Sequence, residues 1–273
     1  MNKKFLGLIA RCKDEFFAKE FCDYYLSQGV DKIFLIDDDS NDKSIYDNIT
    51  DTRVDIIYEK NILKNNYTKK LYKQIKSNFK WMIYCDVDEF ITSKKNTTNT
   101  IRDELKTTFK DADCIMIPWV MMSCNNKQNN PKSVLKENTY RWNHDKKHPH
   151  PVHKFRCRYS CIEVKCIFKT DKFTDITDHT PIGDDGSCII VDGISNKKQK
   201  LKFCYKNLRE KDIKNGYLLC YHYRIISIEN SINKLKNNKW YRNNGYTVDD
   251  LMASDHPEII DETLKGKSKY DKS

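Results

Sequence analysis

No apolar run in the 273 residues approaches the roughly 20 that a membrane-spanning helix needs. The one suggestive stretch, Phe5–Ala10, is stopped by Arg11, Lys13, Asp14 and Glu15. It is shorter than the about 7–15 apolar residues of a secretory core and reads better as a buried strand. Eleven cysteines are present, yet none forms a Cys-x-x-Cys pair, so neither a zinc ribbon nor a thioredoxin-like motif is encoded. Cys157, Cys161 and Cys166 lie close together, but at irregular spacing and with no matching second pair. Cys12, Cys22, Cys85, Cys114 and Cys220 sit in apolar runs, where cysteine acts as a small buried hydrophobe. Reduced thiols are expected, and with them a soluble, cytoplasmic setting. Internal repeats are missing too, as is any arginine-rich or aromatic signature of an RNA-binding module.

Lys and Arg outnumber Asp and Glu by 49 to 39, a formal charge of +10. Such an excess raises nucleic acid, a phosphorylated ligand or an anionic surface as partners. Much of it falls in Lys- and Asn-rich stretches such as Lys60–Lys80, Lys94–Asn99 and Asn196–Lys202. These lack the interleaved stacking aromatics of single-strand binders and read as solvated surface, so no nucleic-acid partner is expected. A hydrophobic share of 38% and an aromatic share of 12% suit a globular enzyme with a sizeable core.

Two periodicities alternate in the first third. Apolar runs at Lys4–Ala10, Lys32–Ile36, Val54–Tyr58 and Trp81–Cys85 are separated by helical spacing over Asp14–Gln28 and Lys64–Phe79, with Gly29 as a helix stop. Strand, helix, strand, helix with buried strands predicts a parallel α/β sheet. Thr100–Phe109 reads as a further helix and Cys114–Val120 as a further strand. Ser123–Pro151 is polar, Asn-rich and reads as a long loop. Lys154–Lys169 and Gly186–Tyr205 suggest antiparallel strands, Leu218–Tyr223 a last strand and Ser227–Tyr241 a helix. The expected division is a ligand-binding half over 1–122, an acceptor-side half of the same domain over 123–265, and a disordered tail over 266–273.

Two of the early strands run straight into acid. Lys32–Ile36 ends at Asp37-Asp38-Asp39-Ser40, and Trp81–Cys85 at Asp86-Val87-Asp88-Glu89. Ligands of open α/β sheets bind beyond the carboxyl ends of the strands, so both clusters point to one site. Asp-x-Asp alone is weak: it also occurs at Asp111–Asp113, which precedes its strand and reads as an exposed turn. At Asp86–Glu89, three carboxylates beside a very apolar strand need a cation or hydrogen bonds to offset repulsion and burial. A divalent hard metal, Mn²⁺ or Mg²⁺, is the natural compensation, with a solvated acidic turn as the plainer alternative. The matching chemistry is transfer from a nucleoside diphosphate, whose departing charge such an ion stabilises. Asp37–Asp39 would then hold a base or ribose, or else form only an Asx-type turn with a helix cap.

Ala10–Glu15, Tyr24–Val30 and Phe34–Ser40 together resemble the start of the family 92 and related family 2-like glycosyltransferases of the GT-A fold. Trp81–Ile91 is similar to their metal-binding segment, while Ile117–Trp119 and Tyr221–Arg224 fall where that group has an apolar-Trp strand and a late His-Tyr segment. The similarity spans about residues 4–240. It implies a mostly parallel central sheet flanked by helices, with a smaller antiparallel subregion on the acceptor side. It also implies a nucleotide-diphosphate sugar donor, with UDP favoured, and a glycan or protein acceptor. Asp86 and Asp88 would hold the metal, Asp86 reaching the ribose as well, with Asp37 and Asp38 by the base and ribose and Arg11 near the nucleotide. His222 would be a further metal ligand; by itself, a His between two tyrosines reads as a core residue. Lys154 and Arg156 would meet phosphate or form surface salt bridges.

The similarity favours inversion, which needs a base opposite the leaving diphosphate. Thr177–Asp185 offers one beside turn-forming Pro181 and Gly183, and Asp178 with His179 is the expected pair, ahead of Asp184, Asp185 or Glu163. His144, His148, His150 and His153 crowd the middle of the chain without ligand spacing and read as a polar acceptor-side loop rather than a zinc site. The rival enzyme class is a haloacid-dehalogenase-like phosphatase, which also places Asp-x-Asp after a strand. It prefers Thr or Val where this chain has Phe90, and it leaves Asp37–Ser40 and His222–Arg224 without a role.

Overall fold

The computed structural model describes residues 3–62, 64–148, 162–183, 186–206 and 208–267. In chain order the first half comprises β1 (Lys4–Cys12), α1 (Ala18–Ser27), β2 (Lys32–Asp38), β3 (Val54–Glu59), α2 (Tyr67–Ile75), β4 (Phe79–Asp86), β5 (Glu89–Ser93), α3 (Ile101–Lys106) and β6 (Cys114–Ser123). There follow α4 (Val134–Glu137), β7 (Tyr140–Arg141), β8 (Ile162–Lys169), β9 (Asp175–Ile176), β10 (Pro181–Ile182), β11 (Ile190–Asp192), β12 (Cys204–Tyr205) and α5 (Glu210–Asn215). The described chain closes with β13 (Leu218–His222), α6 (Ile228–Asn237), α7 (Lys239–Asn243), α8 (Val248–Met252) and β14 (Ile259–Ile260).

The main sheet runs β3-β2-β1-β4-β8-β6-β7-β14. β3, β2, β1 and β4 are mutually parallel, and β8 lies antiparallel between β4 and β6. β13 then bridges, parallel to β6 and antiparallel to β5. The expected mostly parallel sheet with an antiparallel part is therefore present. Its central strands are buried on both faces, which explains their continuous apolar runs: every residue of β6 and all but the last of β8 are buried, whereas the edge strand β3 has no fully buried residue. No helix of the described residues is long and apolar enough to cross a membrane.

Local chemistry accounts for most boundaries. α1 packs Phe21, Tyr24 and Tyr25 into the core and is followed by Gly29 at φ +88, where the left-handed turn suits glycine. Gly7 lies against the Phe79 ring, which a Cβ would approach to 2.8 Å. Thr100 caps α3 in a capping box with Asp103.

Several expectations needed correction. Asp14–Phe17 is not helical, because Asp14 takes φ +53 and its carboxylate accepts the Asn41 and Asp42 N–H groups. Phe79 opens β4 rather than ending α2. The helix expected over Ser227–Tyr241 is broken at Asn238, whose side chain caps α7 by accepting the Trp240 N–H at 2.9 Å. In the stretch read as antiparallel, β11 instead joins β6 in parallel, while β12 pairs antiparallel with β8. The five cysteines of the apolar runs are buried.

Candidate active site

Parallel pairing aligns the ends of β1, β2 and β4: Arg11 stands opposite Asp86, and Cys12 opposite Asp37. Beyond these ends lies a cavity of about 430 Å³, a size suited to a small-molecule ligand. β13 completes it, since pairing with β5 sets His222 opposite Glu89. The acidic turn is pinned by Asp86 N–H donating to Glu89 Oε2 at 2.7 Å and Tyr223 N–H donating to the Asp88 carbonyl at 2.8 Å. All four residues of the turn line the cavity, Val87 and Glu89 buried, Asp86 and Asp88 partly exposed.

The floor is a chain of alternating charges. Arg11 donates from Nε and NH2 to Asp86 Oδ1 at 3.0 and 2.8 Å, and its NH1 lies 3.3 Å from Asp178. Lys165 Nζ is 3.1 Å from both Asp86 Oδ2 and Glu89 Oε2 and donates to the Asp178 carbonyl at 2.8 Å. Lys234 Nζ bridges Asp88 Oδ2 at 3.1 Å and Glu15 Oε1 at 3.2 Å. His222 Nε2 faces the other Asp88 oxygen at 3.7 Å, with its ring tilted over Trp119 at 4.2 Å. His222 Nδ1 is buried without a hydrogen-bond partner among the described residues.

Burial pushes the Asp86 and Asp88 carboxyls up, but neighbouring cations prevail. Arg11 and Lys165 hold Asp86, and Lys234 with His222 hold Asp88, well below the usual carboxylate range. For Glu89 burial prevails over Lys165, and its carboxyl is raised to about 8. Burial likewise raises Glu15 against the pull of Lys234. Both lysines stay charged, because their acidic partners outweigh the desolvation that would lower them.

The turn after β9 brings the second half of the chain to the same cavity. Asp178 Oδ1 accepts from the Tyr84 hydroxyl at 3.2 Å. Among the described residues its Oδ2 takes no hydrogen bond, and the side chain is 51% exposed. His179 Nδ1 lies 3.1 Å from the Val164 carbonyl and Nε2 3.8 Å from Glu163, so its carboxylate neighbour is Glu163 rather than Asp178. Burial and Lys165 lower the imidazole's pKa and keep it neutral.

Arg11, Asp38, Asp86, Asp88, Asp178, His179 and His222 thus line one cavity. Asp37 does not. Its carboxylate is fully buried and accepts the Ser40 N–H at 3.1 Å and the Tyr46 hydroxyl at 2.7 Å, which makes it the cap of its own turn. Lys154, Arg156, Asp184, Asp185, His150 and His153 fall outside the described residues. His144 and His148 do not reach the cavity: His144 Nε2 accepts the Met121 N–H, and His148 pairs with Glu258 at 2.6 Å and stacks on His256. They knit the loop to the core. Sequence reasoning missed Glu15, Lys165 and Lys234. A lysine within the apolar strand Ile162–Phe168 was the available signal for Lys165; nothing comparable marks Lys234.

No family model and no curated protein sequence matches the chain. Among solved structures it is similar to HddC from Yersinia pseudotuberculosis, at 12% identity over 78% of this chain and 92% of that one, with a TM-score of 0.37. It is also similar to 4-diphosphocytidyl-2C-methyl-D-erythritol synthase from Anaerococcus prevotii, at 10% identity over 78% and 96% of the two chains, with a TM-score of 0.34. Overlaps this loose leave the reading of the cavity to its own geometry.

Proposed function

We propose that the chain is a GT-A-type glycosyltransferase that moves a sugar from a nucleoside-diphosphate sugar, UDP-linked by preference, to an acceptor hydroxyl with inversion. The observation that carries this reading is the meeting of Asp88, Asp86 and His222 with Arg11 and two buried lysines beyond the carboxyl ends of parallel strands. The antiparallel β8 inserted in a parallel sheet also accords with that fold.

A cation fits the cavity on charge. Eight Asp and Glu side chains line it against five Lys and Arg, and Asp86 and Asp88 are held as carboxylates, so a diphosphate would meet negative charge there without one. Among the described residues no group of three or more His, Cys, Asp or Glu is arranged around one point. Asp88 and His222 are the two side chains that would hold Mn²⁺ or Mg²⁺. The ion would supply Lewis-acid stabilisation of the departing diphosphate. Asp86 serves differently, since both its oxygens are engaged by Arg11 and Lys165.

Asp178 acts as the base. Its open Oδ2 accepts the acceptor hydroxyl's proton as the oxygen bonds to the anomeric carbon and the carbon–phosphate-oxygen bond breaks toward the diphosphate. Arg11, held by Asp86 and Asp178 together, ties the donor side to the base. Asp38, at the cavity's edge, is the carboxylate left to meet the base or ribose.

The test is calorimetry with UDP, with and without Mn²⁺, on the wild type, Asp88→Ala and His222→Ala. Wild type should bind UDP only with the ion. Asp88→Ala should lose at least about a hundred-fold in affinity, beyond the 10–100-fold typical of an outer-shell partner. UDP binding that is indifferent to the ion and to Asp88 would refute the assignment.

A further inference from the structure

The α6–α7 side of the cavity differs from its floor. Asn233 and Asn237 stand one helical turn apart on α6, about 6 Å along the axis, and both line the cavity. Neither amide makes a hydrogen bond to any described residue. Beside them, Asn238 starts α7 and sets Trp240 on the same side. Trp240 is 49% exposed, although tryptophan is usually well covered. It is also propped in place, stacked on Tyr246 at 5.5 Å and edge-on to Tyr241 at 5.1 Å. The only charge along this strip that lines the cavity, Lys234, is taken up by Asp88 and Glu15. Across the cavity, Trp119 is almost fully buried, yet its indole N–H has no hydrogen-bond partner among the described residues.

Free planar amides that can donate and accept together, a braced aromatic surface and no available charge suit a neutral polyhydroxylated ligand. The amides match its hydroxyls, and the indole covers the apolar face of a sugar ring. A nucleobase would stack equally well, but the carboxylate and backbone groups that would recognise it lie across the cavity, at the ends of β1 and β2. We propose that Asn233, Asn237 and Trp240 form the acceptor subsite, and that the acceptor is a neutral glycan rather than a peptide or lipid headgroup. This rests on the glycosyltransferase reading of the same cavity.

The test separates the two. The full chain, with UDP and Mn²⁺ present, is applied to a printed array of neutral gluco-, galacto- and manno-oligosaccharides, and UDP binding is measured in parallel by calorimetry. Wild type should be retained on a subset of the glycans. Trp240→Ala and Asn233→Ala/Asn237→Ala should each retain about ten-fold less, the factor that roughly 1.4 kcal/mol represents. Both should bind UDP as wild type does. Equal retention by wild type and variants, or none by wild type, overturns the subsite. A loss of UDP affinity in Trp240→Ala assigns the strip to the donor and also overturns it. Failure of every protein to bind UDP, with Trp240-dependent glycan retention intact, would sink the donor reading and leave the glycan subsite standing.

Discussion

The floor and the α6–α7 wall of one cavity treat their polar groups in opposite ways. On the floor, Asp86, Asp88, Glu89 and Glu15 are met by Arg11, Lys165 and Lys234, so each charge is held by a neighbour of opposite sign. On the wall, Asn233 and Asn237 are left open and Trp240 is half-exposed. A buried carboxylate costs several kcal/mol unless it is paired, which forces the floor to be assembled on folding. Neutral amides and an indole at the surface carry no such penalty and can wait for a ligand. The contrast teaches where folding and binding each do their work. Changes to the floor should act on stability and donor chemistry, and changes to the wall on recognition alone.

The largest effect should come at the junction between them. Asp178→Asn keeps the shape of the side chain but removes the proposed proton acceptor. Transfer should fall about 10²–10⁴-fold, the usual contribution of a positioned base, with UDP and Mn²⁺ affinity retained. Single-turnover assays with matched calorimetry read this directly, and transfer near the wild-type rate would move the base to Glu163.

Next in size is the floor's buried lysine. Lys165→Met strips Asp86 and Glu89 of a shared counter-ion at a site only 1% exposed. Arg11 still holds Asp86 and burial already favours the protonated Glu89, so the loss of their shared hydrogen-bond partner should cost up to about 3 kcal/mol in denaturant unfolding. A cost below about 1 kcal/mol would mean that water reaches these carboxylates, and the contrast with the wall would collapse.

Away from the cavity, Asp261 offers a milder control. Burial pushes its carboxyl up, but the Thr263 hydroxyl, Lys94 and Arg141 prevail and hold it at about 2. A carboxyl depressed in the folded state stabilises it above its unfolded value near 3.9, and that contribution disappears as pH falls through about 2. Asp261→Asn should therefore remove roughly 2 kcal/mol at neutral pH and flatten the acid-unfolding limb between about pH 4 and 2. An unchanged limb would show that Asp261 contributes no such linkage.

The smallest effect sharpens the comparison from the other side. Asn233→Ala/Asn237→Ala should leave stability within about 0.5 kcal/mol of wild type, since no hydrogen bond within the described structure is lost. A clear drop in melting temperature would reveal a structural role for these amides.

Much of this site was legible from residue order, for reasons tied to particular segments. The run Trp81–Cys85 reads as a buried strand, and a buried strand that breaks into Asp86-Val87-Asp88-Glu89 delivers its acids to the carboxyl ends of the sheet's strands. His222 was legible only through likeness to a family, since Tyr-His-Tyr in an apolar strand suits a core histidine equally well. Asp37 was misjudged for a local reason: an aspartate that ends a strand can serve its own turn as readily as a ligand, and Tyr46, nine residues on, tips the balance. Lys234 could not be inferred, because a lysine on a polar helix gives no sign of whether its amine faces solvent or a carboxylate.

By itself, the sequence determined the buried parallel strands, the acid clusters at their ends and the helix stop at Gly29, because periodicity, burial and backbone freedom act over a few neighbouring residues. The tertiary structure alone decided which charges meet. Arg11 and Asp86 are 75 residues apart in the chain, and Lys234 and Asp88 are 146 apart. Electrostatic compensation depends on distance through space in a poorly screening interior, and only sheet pairing and helix docking set that distance.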